Sequence, residues 1–183
     1  MTSTDTATTI YTTMDSPVGE ILLTGVRDET APGGVALSAV KMEIWKAANK
    51  RELDSGVDEN WEHAPEEFAH AVGQLDAYFK GELTEFDLGY AAQGTPFQQR
   101  VWDEIKKIPY GTTTTYGRIT ADLGLDRSGA RAVGGAMGSN PLGIVVPCHR
   151  VIGANGSLTG YAGGLENKEA LLVLEGVLPT PLV

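Results

Sequence analysis

One cysteine stands where it could act as a nucleophile. Cys148 is the only cysteine of the 183 residues, and it belongs to Pro147-Cys148-His149-Arg150, directly after the apolar run 144–146. A cysteine attacks as its thiolate, and a neighbouring histidine can take the proton directly or through one water molecule. Adjacent side chains of a regular strand point to opposite faces. The chain must therefore turn at Cys148, or water must bridge the two groups.

A relay of this kind needs a third group that orients the imidazole, and Glu175 is the candidate carboxylate. A structural interpretation stands beside the catalytic one. A lone cysteine is most often a small buried hydrophobe, and a histidine beside it is more often a structural hydrogen-bonding group. Judged on the Cys–His pair alone, the structural interpretation is favoured.

The segment 130–137 carries very small side chains and a single cation, Arg131. One interpretation is a tightly packed core helix, although glycine is costly inside a helix. The other is a helix whose backbone can lie close to a partner. Such a surface has few side chains that could read base edges, so it would bind DNA by shape and phosphate contacts.

The formal net charge of −10 is unevenly distributed along the chain. Residues 1–93 hold six Lys and Arg against 17 Asp and Glu, whereas residues 94–183 hold eight against seven, a net charge of +1. A whole-chain charge therefore misrepresents the second half. No apolar run reaches the roughly 20 residues of a membrane span, and residues 1–9 lack the features of a secretory signal, so we expect a cytoplasmic location.

The first half predicts a sheet and one helix. Residues 10–14 and 20–26 are predicted to form a hairpin, 35–45 to continue the sheet, 65–80 to form a helix with an apolar face, and 86–90 to form a short strand. Residues 46–62 are polar without a clear period, which predicts a long exposed connection. The boundary between the halves is placed at 93/94.

The second half predicts short helices. Thr95, followed by Pro96 and Gln98, predicts a capped helix from residue 96 onward. Thr115 is predicted to cap the next helix and Ser128 to cap a third over 129–137, which together have the form of a helix-turn-helix. Residues 144–146 are predicted to form a buried strand. Residues 165–175 are predicted to form a final helix with Leu171, Leu172 and Leu174 facing inward.

Several of these pieces closely resemble the methylated-DNA–protein-cysteine methyltransferases, also called alkylguanine-DNA alkyltransferases. They are Asn140-Pro141, the run from Ile144 through Cys148 to Gly153, Gly160-Tyr161-Ala162-Gly163-Gly164-Leu165, Arg131-Ala132-Val133-Gly134, Tyr116, and Phe97-Gln98-Gln99-Arg100-Val101-Trp102. Their order and spacing cover residues 94–176. The first half resembles the bacterial members more loosely, through Asp15-Ser16-Pro17-Val18-Gly19 and 75–82.

The resemblance implies a role for each site residue. Cys148 is expected to accept the alkyl group, His149 to take its proton through water, and Glu175 to orient His149. Around them, Asn140 is expected to brace the turn between the DNA-binding helix and the active site. The remaining expectations concern DNA and the base. Arg131 fills the space of the extruded base, and Tyr116 pushes the neighbouring phosphate and lies near the ring nitrogen. Tyr161 and the backbone of Ala162 line the base pocket with Met137 as an apolar wall, and the Val151 carbonyl receives the exocyclic amine.

The resemblance also implies an α+β fold, with a ribonuclease-H-like domain at 1–93 and a helical winged helix-turn-helix domain at 94–183 that enters the minor groove. The expected reaction is a single, irreversible transfer of a methyl or larger alkyl group from the 6-oxygen of a flipped guanine in duplex DNA. We expect a monomer that needs no cofactor and does not bind membranes. Because Cys148 is the only cysteine, the cysteine-containing zinc site of the animal members is not expected.

Three further points follow from the sequence. Gly138 and Ser139 stand where some members carry a basic residue, which predicts weaker DNA binding. Relatives that only bind lesions have Trp in place of the acceptor cysteine, and Cys148 excludes that state. Two other functions remain open: a DNA-binding regulator without chemistry, and a cysteine hydrolase that turns over.

Overall fold

The structure is a computed structural model that describes residues 7–42 and 57–180. The chain divides into two compact units, Met1–Ala92 and Gln93–Val183. Within the described ranges, no helix is long and apolar enough to cross a membrane. Residues 1–6, 43–56 and 181–183 lie outside these ranges, and with them most of the segment 1–9 and of the predicted exposed connection at 46–62.

The first unit is built on a sheet of five strands in the order β4-β1-β2-β3-β5. The strands are β1 (Ile10–Met14), β2 (Ile21–Arg27), β3 (Val35–Met42), β4 (Glu62–His63) and β5 (Gly89–Tyr90). The three long strands form an antiparallel meander, and the short β4 and β5 pair in parallel with β1 and β3. The predicted hairpin of β1 and β2 is confirmed.

The helix of the first unit, α1 (Ala69–Phe79), is preceded by a 3-10 turn, Pro65–Phe68. The predicted helix at 65–80 is therefore confirmed in place, although its first turn is tighter than an α-helix. Its buried face differs in part from the apolar stripe that the sequence predicts, which consists of Phe68, Val72, Leu75 and Phe79. Tyr78 is fully buried with Phe68 and Leu75, whereas Phe79 is only partly buried.

The second unit contains four helices and a small two-stranded parallel sheet among its described residues. In chain order they are α2 (Pro96–Lys106), β6 (Thr114–Thr115), α3 (Tyr116–Asp122), α4 (Ala130–Gly138), β7 (Val151–Ile152) and α5 (Leu165–Leu174). Helices α3 and α4 form the predicted helix-turn-helix. Helix α2 packs against this motif and fixes its position, because the indole Nε1 of Trp102 donates to the carbonyl of Ala136 at 2.8 Å.

The helix starts follow the local sequence with one exception. Thr95 Oγ1 accepts from the Gln98 amide at 3.1 Å while Gln98 Oε1 accepts from the Thr95 amide at 2.9 Å, which is the predicted capping box. Thr115 caps α3 as predicted. The predicted Ser128 cap is wrong. Asp126, two residues earlier, accepts from the Ser128 amide, and a 3-10 turn precedes α4, because a carboxylate is the stronger acceptor.

Residues 144–146 do not form the predicted strand. The amide of Val145 donates to Gly143 O and that of Val146 to Leu142 O, so the chain coils into successive tight turns. Ile144 has a φ of 68°, a left-handed conformation that a β-branched side chain rarely adopts. The run is apolar because it is buried, and burial alone does not distinguish a strand from a compact turn.

Candidate active site

Cys148 opens a 3-10 turn, Cys148–Arg150, immediately after Pro147. The chain therefore turns at Cys148, which is the first of the two arrangements that the sequence allows. The cysteine is 7% exposed, and the two residues after it are also buried. A tight helical turn sends consecutive side chains in different directions, so Cys148 lies beside Asn140 while His149 and Arg150 both reach Glu175.

Asn140 holds the turn that carries the thiol. Its side-chain Nδ2 donates to the carbonyl of Val146 at 3.1 Å and lies 3.2 Å from Cys148 Sγ, while its Oδ1 accepts from the Leu142 amide at 2.9 Å. One amide thus joins the end of α4, the coiled segment and the nucleophile. The sulfur also lies 3.9 Å from the carbonyl of Met137, the last buried residue of α4.

Burial keeps the resting sulfur protonated. Removal from water raises the pKa of the Cys148 thiol from its ordinary 9.0 to about 12, and the hydrogen bond from Asn140 and the charge of Lys168 oppose that rise. A buried thiolate is costly because the charged form loses its hydration. At neutral pH the group is a thiol, which needs a proton acceptor at the moment of attack.

His149 is positioned for that purpose by Glu175, the residue that follows α5. Imidazole Nε2 lies 2.5 Å from Glu175 Oε2, and both side chains are fully enclosed. Because a carboxylate only accepts, Nε2 carries the hydrogen and Nδ1 of the neutral ring keeps its lone pair. Nδ1 is buried without a hydrogen-bond partner in the described part of the chain. Burial lowers the pKa of His149, although Glu175 acts in the opposite direction, so the resting ring is neutral.

Arg150 is a part of this cluster to which the sequence analysis gave no role. Its Nε donates to Glu175 Oε1 at 2.7 Å, its Nη2 to Oε2 at 3.2 Å, and its Nη1 to the carbonyl of Ile108 at 2.7 Å. The Gly111 amide donates to Oε1 as well. Together with Nε2 of His149, these groups place four donors on the ionised carboxylate and stabilise it. The sequence signal that could have predicted this role is an arginine close to an apolar run. An arginine that is buried there requires a partner of opposite charge.

Three of the predicted pocket residues lie around the same turn. The ring of Tyr161 is 6.5 Å from the imidazole of His149, edge to face, and its hydroxyl is buried. Met137 contributes the carbonyl next to the sulfur. Val151 begins β7 directly after the turn. The side chains of Ala162 and Arg131 are exposed and lie outside the buried cluster, while the roles predicted for them concern the Ala162 backbone and the DNA duplex.

Lys168 is the second residue of the site for which the sequence predicts no role. This α5 side chain, within a stretch predicted to face inward through leucines, is fully buried. Its Nζ donates to Val151 O at 2.6 Å and to Thr159 O at 2.9 Å. Tyr116 donates its hydroxyl to the same Thr159 carbonyl at 3.0 Å. Leu171 and Leu172 are buried as predicted, whereas Leu174 is only partly so.

The exposed side of α4 is nearly bare backbone. A Cβ added at Gly135 or at Gly138 would meet no atom within 4 Å, so neither glycine is required by internal packing. Arg131 is exposed on the first turn of this helix. Small side chains on an open helix face permit a phosphate backbone to approach closely, which favours the second interpretation of this segment.

The second unit therefore combines a buried thiol, a neutral imidazole oriented by a carboxylate, and an open helix beside them. Such a constellation can deprotonate the sulfur as it attacks an electrophilic carbon. The chemistry that this geometry supports is a group transfer to sulfur.

Comparison with known proteins identifies both units. The domain family described as 6-O-methylguanine DNA methyltransferase, ribonuclease-like domain, matches residues 9–90, and 6-O-methylguanine DNA methyltransferase, DNA binding domain, matches residues 96–177. The chain is 48% identical over 166 residues to the methylated-DNA–protein-cysteine methyltransferase of Methanosarcina acetivorans, covering 91% of this chain and 97% of the relative. Its counterpart from Mycolicibacterium paratuberculosis is 47% identical over 168 residues, covering 90% and 91%.

Solved structures agree. The crystal structure of the Mycobacterium tuberculosis O6-methylguanine methyltransferase superposes with a TM-score of 0.76 at 44% identity, covering 94% of this chain and 96% of that one. The M. tuberculosis protein OGT in complex with DNA gives the same TM-score and identity, with coverages of 93% and 95%. The enzyme from Pyrococcus kodakaraensis is more distant, at 25% identity and a TM-score of 0.61, covering 92% and 99%.

Proposed function

Since the chain belongs to the 6-O-methylguanine DNA methyltransferase family, we propose that Cys148 receives the alkyl group and that the residues gathered around it each serve this transfer. The protein is a methylated-DNA–protein-cysteine methyltransferase with the two-domain α+β fold of the family, and it repairs DNA by direct reversal. The observation that carries the assignment of roles is that Asn140 and Glu175 both contact the buried turn that begins at Cys148. Asn140 lies against the sulfur, and Glu175 pairs with His149.

The proton leaves sulfur first or during attack. His149 accepts it at Nδ1, the ring atom with the free lone pair, through a water molecule. The imidazolium that forms is stabilised by the Glu175 carboxylate at Nε2. Because the resting thiol has a high pKa, the proton acceptor is needed at neutral pH and the sulfur becomes strongly nucleophilic only when it loses its proton.

The sulfur then displaces guanine from the alkyl carbon. The new bond is S–C, the bond broken is C–O6, and its electron pair goes to the guanine ring, which takes up a proton. Tyr116 is the proposed donor near the ring, and it must turn its hydroxyl away from Thr159 O to serve the base. The product is a thioether, which nothing in the site can cleave, so each molecule reacts once.

The base must leave the duplex to reach the sulfur, because O6 lies inside the stack. We propose that the open face of α4 lies along the DNA, with Arg131 entering the space that the base leaves. Met137, Tyr161, the backbone of Ala162 and the Val151 carbonyl line the proposed base pocket. The minor groove is the proposed approach, since α4 offers bare backbone and few side chains for reading base edges.

A monomer is the proposed active form, because all groups of the proposed site come from one chain. A reducing compartment such as the cytoplasm is the proposed location. The reaction consumes a free thiol, and Cys148 must not be oxidised before it meets its substrate.

Intact-mass spectrometry tests the proposal. The chain is mixed with an excess of duplex containing 6-O-methylguanine, and peptides are then mapped. We expect the mass of one methyl group in place of one hydrogen, located on Cys148, and no more than one equivalent of repaired guanine. Cys148→Ser, which retains the size of the side chain, is expected to gain no mass while still binding the duplex.

Other results distinguish the alternatives. Repaired DNA beyond one equivalent with unchanged protein mass indicates a hydrolase and overturns the proposal. Binding without any mass gain by the wild type indicates a regulator. Methyl found on a residue other than Cys148 would leave the family assignment intact but refute the proposed role of this thiol.

A further inference from the structure

Residues 108–111 lie between α2 and β6 and belong to a tight turn, which is called the 108–111 turn below. The Thr112 amide donates to Pro109 O at 3.2 Å and closes it. Gly111 has a φ of 74°, a left-handed conformation that glycine adopts without the steric cost of a side chain. The shape of this turn therefore depends on a glycine at position 111.

The 108–111 turn contacts the buried pair of Arg150 and Glu175 at three points. The carbonyl of Ile108 accepts from Arg150 Nη1 at 2.7 Å. The ring of Tyr110 lies over the guanidinium, with Arg150 Cζ 5.7 Å from the ring centroid. The Gly111 amide donates to Glu175 Oε1 at 3.2 Å. A main-chain acceptor and an aromatic face thus hold the cation, and a main-chain donor holds the anion.

Tyr110 also covers this charged pair. The residue is half-buried, and its hydroxyl donates at 3.4 Å to the carbonyl of Leu174, the last residue of α5. The side chain therefore reaches from the guanidinium of Arg150 to the helix end that carries Glu175. Charges interact more strongly where water is excluded, so this cover helps to keep the carboxylate in one orientation.

We infer that the 108–111 turn positions Glu175 and that Gly111 and Tyr110 are positioning residues for the alkyl transfer. The inference rests on the proposed function, in which Glu175 orients His149 as the imidazole takes the thiol proton. Oε2 of the carboxylate meets Nε2 of His149, and Oε1 accepts from the Gly111 amide. Because both oxygens belong to one rigid planar group, holding Oε1 fixes the direction of Oε2.

Gly111 has little room for a side chain. A Cβ there would lie 3.3 Å from the main-chain carbonyl oxygen of Glu175, and the φ of 74° would strain an alanine. Gly111→Ala is therefore expected to move the amide away from the carboxylate. Gly81 is a matched position in the first unit, because its φ is also 74° but an added Cβ would meet no atom within 4 Å.

The test compares Gly111→Ala with Gly81→Ala. Single-turnover rates are measured against the concentration of duplex containing 6-O-methylguanine, and the rate of Cys148 alkylation by iodoacetamide is measured without DNA. The thiol must lose its proton in both reactions. We expect Gly111→Ala to lower both maximal rates about tenfold, the factor that one weakened hydrogen bond to a charged group represents.

The half-saturating concentration of duplex should not change in Gly111→Ala, because the 108–111 turn has no part in the proposed DNA interface. Gly81→Ala carries the same backbone strain, so it should lower stability while leaving both rates at the wild-type value. Tyr110→Leu is the second variant, and it keeps the inference testable if Gly111→Ala does not fold. It removes the ring and the hydroxyl from a half-buried position, and a smaller fall in both rates is expected.

Four results overturn the inference. The first is a folded Gly111→Ala or Tyr110→Leu protein with wild-type rates. The second is a faster reaction with iodoacetamide, which would indicate a loosened cover over Cys148. The third is a change confined to the half-saturating concentration, and the fourth is an equal loss of rate in Gly81→Ala.

The wild type separates this inference from the proposed function. If wild-type Cys148 gains no methyl group from the duplex, the proposed function fails and the inference fails with it. If the wild type reacts and the folded variants of the 108–111 turn react equally fast in both assays, only the positioning role of this turn fails.

Discussion

Nε2 of His149 lies 2.5 Å from Oε2 of Glu175, and neither side chain reaches solvent. The same carboxylate accepts two hydrogen bonds from Arg150 and one from the Gly111 amide. An ionised glutamate in this position fixes which imidazole nitrogen holds the hydrogen. The nitrogen left with a lone pair is the one that can take the thiol proton.

Replacing Glu175 with Gln tests this arrangement. The amide can present NH₂ to the imidazole and release the tautomer, so we expect the rate of methyl transfer to fall by about a hundredfold. Arg150 loses its buried counter-ion, and the free energy of unfolding is expected to fall by about 3 kcal/mol. Single-turnover kinetics on methylated duplex and urea unfolding measure the two effects.

Glu169→Gln provides the control, because it makes the same chemical change at an exposed position of α5 that lies outside the cluster. It should leave both quantities unchanged. A Glu175→Gln protein that transfers methyl at the wild-type rate would show that the carboxylate has no part in orienting His149.

The dependence of the rate on pH follows from the two buried titrating groups. His149 must be neutral to accept a proton, and burial places its pKa below the ordinary 6.5. The rate with a free 6-O-alkylguanine base should therefore be level around neutrality and fall only as the pH drops below that ordinary value. Because the pKa of Cys148 is about 12, no rise caused by thiolate formation is expected in mildly alkaline buffer.

Single-turnover rates from quenched time points, measured in a series of buffers of equal ionic strength, give this profile. A rate that climbs in proportion to hydroxide through neutral pH would contradict the relay, since solvent and not His149 would then remove the proton. Circular dichroism at each pH establishes that the chain remains folded.

Asn140→Ala removes the amide that joins α4 to the sulfur. The side chain makes hydrogen bonds to Val146 O and Leu142 N and approaches Cys148 Sγ, so we expect a loss of about 2 kcal/mol in the free energy of unfolding. The transfer rate should fall as well, because the turn that presents the thiol is no longer held. Denaturant unfolding and single-turnover kinetics provide the measurements.

Asn60→Ala is the comparison, since Asn60 lies in the first unit and its side-chain amide donates to the exposed Asp58. Its unfolding free energy should change by less than about 0.5 kcal/mol. Equal effects of the two substitutions would indicate that Asn140 has no special place in the fold.

Arg131→Ala is predicted to separate the two kinds of substrate. The side chain is exposed, so stability should not change. Base flipping costs a few kcal/mol, and part of that cost is offset if Arg131 fills the vacated space, so the rate on duplex is expected to fall about tenfold. The rate on free base should remain that of the wild type, because no base needs to be flipped.

Arg127→Ala removes the same charge from the exposed turn that precedes α4. Its effect should be smaller and should disappear as salt is raised, as expected for a simple phosphate contact. If the two variants lose the same rate at every salt concentration, Arg131 acts only through its charge.

Sequence reasoning predicted those parts of the fold that depend on local signals. The hairpin of β1 and β2, the capping box at Thr95 and the Thr115 cap are all present, because each is determined by residues that are near one another in the chain. It failed at 144–146, where a buried apolar run forms turns around Ile144. The Asn140 side chain holds that segment by satisfying the backbone groups that a strand would have paired.

The site shows the same division. The adjacency of Cys148 and His149 made them candidates, and Glu175 was the candidate orienting acid, but the family resemblance was needed to favour a catalytic over a structural pair. Arg150 and Lys168 were missed because their roles depend on carbonyls distant in sequence: Ile108 for the guanidinium, and Val151 and Thr159 for the ammonium. A charged side chain in an inward-facing position was the available signal.

The protonated state of the resting Cys148 has a consequence for the lifetime of the protein. Peroxides oxidise thiolates far faster than thiols, and the 7% exposure of this residue further limits their access. A protein that reacts once is lost for repair if its sulfur is oxidised before it meets a damaged base. Holding the proton until a damaged base arrives keeps each copy of the protein competent for its one repair.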